Sequence, residues 1–341
     1  MSFELATLGD DEAVVFDGPI AHRYEGLQPG TEQQAGALTV RTLRRPPGAR
    51  LATVATVNDM HFGEAVCGVI AGLDLGPVLS VDPGQPPYPL VMNEAAIAEI
   101  QTLAPDAVVA KGDLTASGSV EEYQQFEALY RSAFGDRLMV TRGNHDNPGW
   151  QPPPPVQAVE LPGVILAVLD TSLPGRVGGA VDAPQADWLD ELASRSDRPV
   201  LVFGHHPPAE EEPLRFNGRS ILPAGLGKSS TVRLAAVVAR RPAIVGYFAG
   251  HTHRNKVRHL SSTGSFPWVE VACVKDFPGS WAEYRVFEGG ILQIHRRIHR
   301  DPAALAWSER CRTLYGGLYP AYAWGSVHDR CFEIGLRESG R

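Results

Sequence analysis

Between residues 51 and 249 the chain repeats one pattern: a short run rich in Val, Ala and Leu, an abrupt polar cluster, then an amphipathic stretch. The runs Leu51 to Val57, Ala107 to Ala110, Arg137 to Val140, Val164 to Leu169, Pro199 to Phe203 and Ala243 to Phe248 read as strands. Most of them lack a polar face, so both sides must be covered, as in a sheet clothed by helices. The stretches between supply that cover: Met92 to Leu103, Val120 to Ser132, a helix from Pro184 opened by Asp182, and Thr231 to Arg240 capped by Ser229 or Ser230. From Lys256 to Arg297 consecutive strands with turn signals at Pro278-Gly279 and Gly289-Gly290 predict a second, antiparallel region. An α/β class with two sheets face to face between helices accommodates both halves.

The ends read as additions. Residues 13 to 43 predict two or three strands around a Gly-Leu-x-Pro-Gly-Thr turn similar to one in fibronectin type III modules. A sandwich of that kind needs about 100 residues, so a β-hairpin fragment is the most that fits. The tail after Asp301 starts helical and ends in YGGLYPAYAWG, aromatics that predict packing on the body. The expected division is a β-hairpin appendage at 1–48, the main domain at 49–300 and a helical and aromatic tail at 301–341. Pro152 to Pro155 reads as a stiff extended connector.

Composition narrows the function classes. A net charge of −8 without a basic stretch predicts no nucleic-acid polymer as partner. The first residues lack a basic and then apolar leader, and no apolar run reaches the eighteen or so residues that span a bilayer, so a cytoplasmic protein without a membrane partner is expected. Cys67, Cys273, Cys311 and Cys331 form no C-x-x-C pair and are expected as free thiols outside the chemistry.

The chemistry is expected in five clusters, each just after a strand: Asp59-Met60-His61, Gly112-Asp113, Gly143-Asn144-His145-Asp146, Gly204-His205-His206 and Gly250-His251-Thr252-His253. Ligands gather at the carboxyl ends of strands in open α/β sheets, so clusters almost two hundred residues apart should meet at one site. Asp-x-His or Gly-Asp alone is usually a turn or a coincidence. Gly-Asn-His-Asp offers more polar side chains than a turn needs, and Gly-His-Thr-His places two imidazoles on one side of an extended segment. An inventory of Asp, Asn and His without Cys suits borderline-to-hard divalent metals such as Mn, Fe or Zn. His205 and His206 are adjacent and should point to opposite sides, so one of them is the ligand.

In these residues the sequence resembles the calcineurin-like metallophosphoesterases, whose ordered signature is Asp-x-His, Gly-Asp, Gly-Asn-His-Asp/Glu, Gly-His and Gly-His-x-His. The resemblance covers about residues 51 to 297. It implies a four-layer α-β-β-α sandwich of two mixed sheets and a dinuclear centre of Mn, Fe, Zn or Co in which Asp113 bridges the ions. Asp59, His61 and His253 would complete one ion, and Asn144, His205 and His251 the other. The resemblance makes His205 the ligand of its pair. His145 would stand beside the metals as acid or transition-state stabiliser, oriented by Asp146. The stretch KDFPGSWAEYRVFEGG is similar to the cyclic-nucleotide-phosphodiesterase-like bacterial branch. Two departures are a Gly/Pro-rich insertion at 64–91 and Asn58 before Asp59, where Ser is common.

Two divalent ions against the carboxylates of Asp59 and Asp113 leave a charge of about +2 for a hydroxide and an anionic phosphoryl group. The expected activity is hydrolysis of a small phosphodiester such as a 3′,5′-cyclic nucleotide by metal-activated hydroxide. The rivals are a phosphomonoesterase on the same site and a binding protein that keeps the fold without turnover. Six motif residues are imidazoles and none is an arginine that could clamp a terminal dianion; Arg142, Arg254 or the insertion could supply one. GLGKSS at 225–230 is similar to a nucleotide-binding loop but has Leu222 where that motif needs Gly, leaving a helix N-terminus as a phosphate contact. Glu210 to Glu212 reads as a solvated loop or lid element, and His22, His259, His295, His299 and His328 as surface or strand-end residues.

Overall fold

The computed structural model describes residues 3–69, 75–146, 150–209, 215–216, 219–220 and 224–337. The acidic run Glu210 to Glu212 lies outside them. Two six-stranded sheets form the centre. In the first, Arg50–Val57, Ala107–Lys111 and Leu138–Thr141 run parallel, and the antiparallel strands Ser280–Phe287, Gly290–Arg297 and Phe332–Ile334 extend it from Arg50–Val57. In the second, Val164–Leu169, Val200–Phe203, Ile244–Ala249 and Trp268–Glu270 are parallel, with antiparallel Val156–Leu161 and Lys256–Arg258 at the edges.

Alternation within the apolar runs sets the layers. Val54, Val109, Leu166, Phe203, Phe248 and Tyr284 meet between the sheets. Val57, Val108 and Ala110 face outward onto helix Tyr88–Gln101, through Met92 and Ile100, and onto helix Pro302–Cys311, through Trp307. On the other side Val202 and Tyr247 receive Leu189 of Ala183–Arg195 and Leu234 of Lys228–Arg240. The result is the α-β-β-α sandwich. Among the described residues no helix is long and apolar enough to cross a membrane.

Local signals account for most boundaries. Asp182 caps its helix through Gln185 N, with Gln185 returning the bond. The helix expected at 120–132 is α-helical over Val120–Phe126, capped by Ser119 and Glu122, then continues as a π turn over Glu127–Arg131. Helix Lys228–Arg240 starts at Gly227, not at a serine, because Ser230 Oγ donates to the Val181 carbonyl instead. The loop before it is no phosphate cradle, since the amides of Leu226 and Gly227 already bond the carbonyls of Pro207 and Gly179. The strands between Lys256 and Arg297 build no sheet of their own: one pair joins each central sheet.

The N-terminal segment holds a sheet of Phe3–Leu8, Glu12–Asp17 and Ile20–Glu25 and a hairpin of Glu32–Ala35 with Leu38–Arg41, so four strands span the stretch 13–43 where two or three were expected, and a fifth precedes it. Strands such as Glu32–Ala35 are held by pairing rather than by an apolar run, so composition hides them. Buried charges fasten this segment to the body. Arg285 reaches Asp10 at 2.6 Å, Asp11 at 2.8 Å and Glu283 at 2.9 Å, while Arg296 reaches Glu12 at 2.9 Å and Glu283 at 3.0 Å. His295, expected near the surface, is buried beneath the same segment, 3.3 Å from the Ala6 carbonyl. Burial and then Arg330 push its pKa well down, which keeps it neutral.

Candidate metal centre

The five clusters converge because each sits at the carboxyl end of a parallel strand, and the backbone there is unusual. Among the described residues seven non-glycine positions have positive φ, and five of them are Asp59 (54°), His61 (49°), Asp113 (50°), His251 (70°) and His253 (53°). A left-handed residue with a Cβ costs about 1–2 kcal/mol, and such strain concentrates where a site imposes it. Neighbouring loops hold it in place: Met60 N and His61 N both donate to the Asp113 carbonyl, at 2.8 and 3.0 Å, and His251 N donates to the Asp59 carboxylate at 3.0 Å. Gly143 permits the closest approach, since a Cβ there would lie 2.1 Å from Asp113 Oδ1.

Each imidazole has one nitrogen assigned by a neighbour. His61 Nδ1 lies 2.9 Å from Glu64 Oε2, leaving Nε2 buried, without a hydrogen-bond partner among the described residues, and 3.5 Å from Asp113 Oδ2. His205 Nδ1 gives its proton to the Lys111 carbonyl at 2.9 Å, so Nε2 turns a lone pair toward Asn144 Oδ1 and Asp113 Oδ2, both at 3.3 Å. His251 Nε2 lies 3.2 Å from the Ala224 carbonyl, leaving Nδ1 as its lone pair. His253 Nε2 is 3.3 Å from Asp59 Oδ1. The ligand atoms of Asp59, His61 and His253 all fall within 4.8 Å of one another, as do those of Asp59, Asp113 and His205. Acceptors therefore face acceptors, an arrangement that only protons or cations relieve. Imidazole nitrogen with carboxylate and amide oxygen suits a borderline divalent ion, so the residues fit the metals their composition predicts.

Without cations the protons stay. Burial alone would raise Asp113, but His205 and His61 hold it well below the usual carboxylate range, and His253 and His205 do the same for Asp59. Burial alone would lower His205, yet Asp113 and Asp59 bring it up to about 9. His251, buried beside a charged His205, falls to about 3. Ion uptake at such a cluster displaces protons.

The structure brings Asp59, His61, Asp113, Asn144, His205, His251 and His253 together. His206 lies beside His205 and His251, but both of its ring nitrogens have partners, Thr171 Oγ1 at Nδ1 (2.8 Å) and the Val177 carbonyl at Nε2 (3.0 Å). Asp146 does not orient His145. Its carboxylate accepts from Leu114 N, Thr115 N, Thr115 Oγ1 and Gly143 N, closing the Asp113 and Asn144 loops on each other. His145 Nδ1 bonds the Ala116 carbonyl at 2.8 Å instead, with its ring centroid 4.7 Å from that of His61. Arg142 pairs with Asp170 at 2.7 Å and Arg254 with buried Glu270 at 2.8 Å.

Sequence reasoning missed the residues behind the ligands. Buried Lys111 ties the sheets together by donating to the Ala249 carbonyl at 3.1 Å, and burial pushes its pKa down to about 7. Glu64 lies in the insertion, paired with Lys275 at 2.6 Å. Asp276 lies 3.6 Å from His253 Nδ1 and accepts from Tyr319 of the tail at 2.7 Å. KDFPGS drew notice for its resemblance, although its first two residues carry charge into an otherwise apolar stretch. Asn58 donates to Asp59 Oδ2 at 2.6 Å and to the Val271 carbonyl at 3.0 Å, so it steadies the ligand.

The profile of the calcineurin-like phosphoesterases matches residues 52–255. A glycerophosphodiester phosphodiesterase, GpdQ, of Enterobacter lignolyticus is 31% identical over 170 residues, 44% of this chain and 56% of that protein. A cAMP/cGMP dual specificity phosphodiesterase of Mycobacterium tuberculosis is 31% identical over 172 residues, 44% of this chain and 49% of that one. The chain thus spans about half the length of these curated relatives. A dimetal phosphatase from Danio rerio has the same fold, with a TM-score of 0.57 at 13% identity, over 73% of this chain and 97% of that one.

Proposed function

The chain belongs to the calcineurin-like phosphoesterase family, and from that premise we propose that it hydrolyses phosphodiesters at a pair of divalent ions, Mn, Fe, Zn or Co. The observation that carries this reading is Asp113 Oδ2, set 3.5 Å from His61 Nε2 and 3.3 Å from His205 Nε2, between the two groups of ligands. Asp59, His61 and His253 would hold one ion; Asn144, His205 and His251 would hold the other. When bound, such a pair supplies an activated water and a Lewis-acidic clamp on the phosphoryl oxygens. His145, with Nδ1 given to the Ala116 carbonyl, keeps Nε2 for proton transfer to the leaving oxygen. Asp146 keeps the Asp113 and Asn144 loops in register.

The preference for diesters follows from the cations. A terminal phosphate dianion calls for a guanidinium fork, and the two arginines beside the motifs are engaged by Asp170 and Glu270. Relatives named as cyclic-nucleotide and glycerophosphodiester phosphodiesterases support the same class. The test is a matched set of aryl mono- and diesters, with cyclic nucleotides and glycerophosphodiesters, on metal-free protein reloaded with Mn, Co or Zn. Diesters are expected to exceed monoesters by at least tenfold in kcat/KM. A monoester preference overturns the substrate class, and two bound ions without hydrolysis overturn the enzyme.

A further inference from the structure

The four imidazoles of the centre are backed in two different ways. His205 and His251 lean on main-chain carbonyls, those of Lys111 and Ala224. His61 and His253 face carboxylates, Glu64 at 2.9 Å and Asp276 at 3.6 Å. Those carboxylates are themselves anchored: Lys275 Nζ lies 2.6 Å from both oxygens of Glu64, and the Tyr319 hydroxyl donates to Asp276. Lys275 and Asp276 are consecutive, so one turn of backbone supports both imidazoles of the same ion. Glu64 comes from the insertion and Tyr319 from the tail, the two segments that the strand-end motifs leave unexplained.

Resting on the metal-site reading above, we propose that Glu64, braced by Lys275, and Asp276, braced by Tyr319, are positioning residues for the ion held by Asp59, His61 and His253. The Glu64 carboxylate on His61 Nδ1 keeps the proton there, aims Nε2 at the ion and makes the ring more basic. Asp276, 3.6 Å from His253 Nδ1, supports the second imidazole by its charge rather than by a direct hydrogen bond. Through Glu64 and Tyr319 the insertion and the tail each contribute a group behind that ion. A plain ion pair that staples the insertion to the body is the competing account, and it treats any replacement that removes the pair alike.

Two double variants separate the accounts, since both abolish the ion pair. Glu64→Gln with Lys275→Met keeps an oxygen that can accept from His61 Nδ1; Glu64→Ala with Lys275→Met does not. Zn(II) and Mn(II) affinities of the full-length protein are measured by competition with a chelator. The alanine pair is expected to lose about 10- to 100-fold in affinity for one ion, with the other ion within threefold, and the glutamine pair to stay near wild type. Equal affinities in the two variants overturn the proposal. Nitrogen-15 NMR of histidine-labelled, zinc-loaded wild-type protein gives a second readout that no variant's folding can spoil. His61 protonated at Nδ1 and ligated through Nε2 is the expected state, and ligation through Nδ1 overturns the proposal. Wild-type protein that takes up no metal overturns the metal-site reading itself, a result distinct from either.

Discussion

The main-chain amide of His145 donates to Oδ1 of Asp113 at 2.9 Å, leaving Oδ2 as the oxygen that faces both His61 and His205. In Asp113→Asn the oxygen of the amide stays with that donor, so an NH2 group turns toward the ion positions. Both ions should weaken by more than the ~100-fold typical of an outer partner, and turnover should fall with them. Elemental analysis alongside kinetics checks this; two tightly held ions with near wild-type rate would show that Asp113 does not bridge.

On the proposed assignment His145→Ala should keep both ions, because seven other side chains serve as the ligands and the Nε2 of His145 is kept for proton transfer. A general acid is worth about 10²–10⁴ in rate and matters most for poor leaving groups. Alkyl and ribose esters should therefore lose far more activity than activated aryl esters. Burial holds this imidazole below its ordinary pKa, so its acidic form, and the activity that needs it, declines as pH rises through that lowered value. The variant should lose this limb of the pH profile. An equal loss on both ester types would assign His145 to phosphoryl stabilisation.

Gly143→Ala tests the close approach. Its Cβ would sit 2.1 Å from Asp113 Oδ1 and 2.3 Å from Asp113 N, and both are held by the surrounding loops. Overpacking costs roughly 1–3 kcal/mol, and a 1 Å displacement of a reacting group can cost about 10²-fold in rate. A folded variant with a modestly lowered Tm and a rate loss of that size is expected. Unchanged kinetics would mean that the loops yield freely.

The N-terminal segment carries a pH signature. Burial alone would raise Glu12, but Arg296, Arg285 and Arg23 outweigh it and bring the carboxyl from an ordinary 4.5 to about 2. A depressed folded-state pKa gives stability that is fully present above the unfolded value and is lost as pH falls through the folded one, here between about 4.5 and 2. The shift corresponds to roughly 3 kcal/mol. Urea midpoints at pH 7, 4 and 2.5 should show this loss in the wild type, and Glu12→Gln should flatten that part of the profile while lowering stability at pH 7. A variant with the wild-type pH dependence would remove Glu12 from the clamp.

The layers and the strand-end clusters were legible because period and position are local. Val54 and Val57 fall on opposite faces by alternation alone, and Asp113 follows its strand by two residues. Glu64 and Lys275 were not legible as a pair, since they lie 211 positions apart and neither stands in one of the five strand-end clusters. Asp146 was misread for a related reason: adjacency to His145 implied a contact, whereas its carboxylate closes the turn back on Gly143 and the Asp113 loop. The edge strands of the N-terminal segment draw their stability from partners rather than composition, so their number was undercounted.

The proposed ligands divide between the sheets: Asp59, His61, Asp113 and Asn144 follow strands of the first, and His205, His251 and His253 those of the second. Ions held by these residues would act as rivets along a seam. A chelator would then do more than silence the enzyme, because it frees the two halves of the sandwich to slip at their shared edge. Backbone amides flanking that seam should be the first to gain hydrogen exchange.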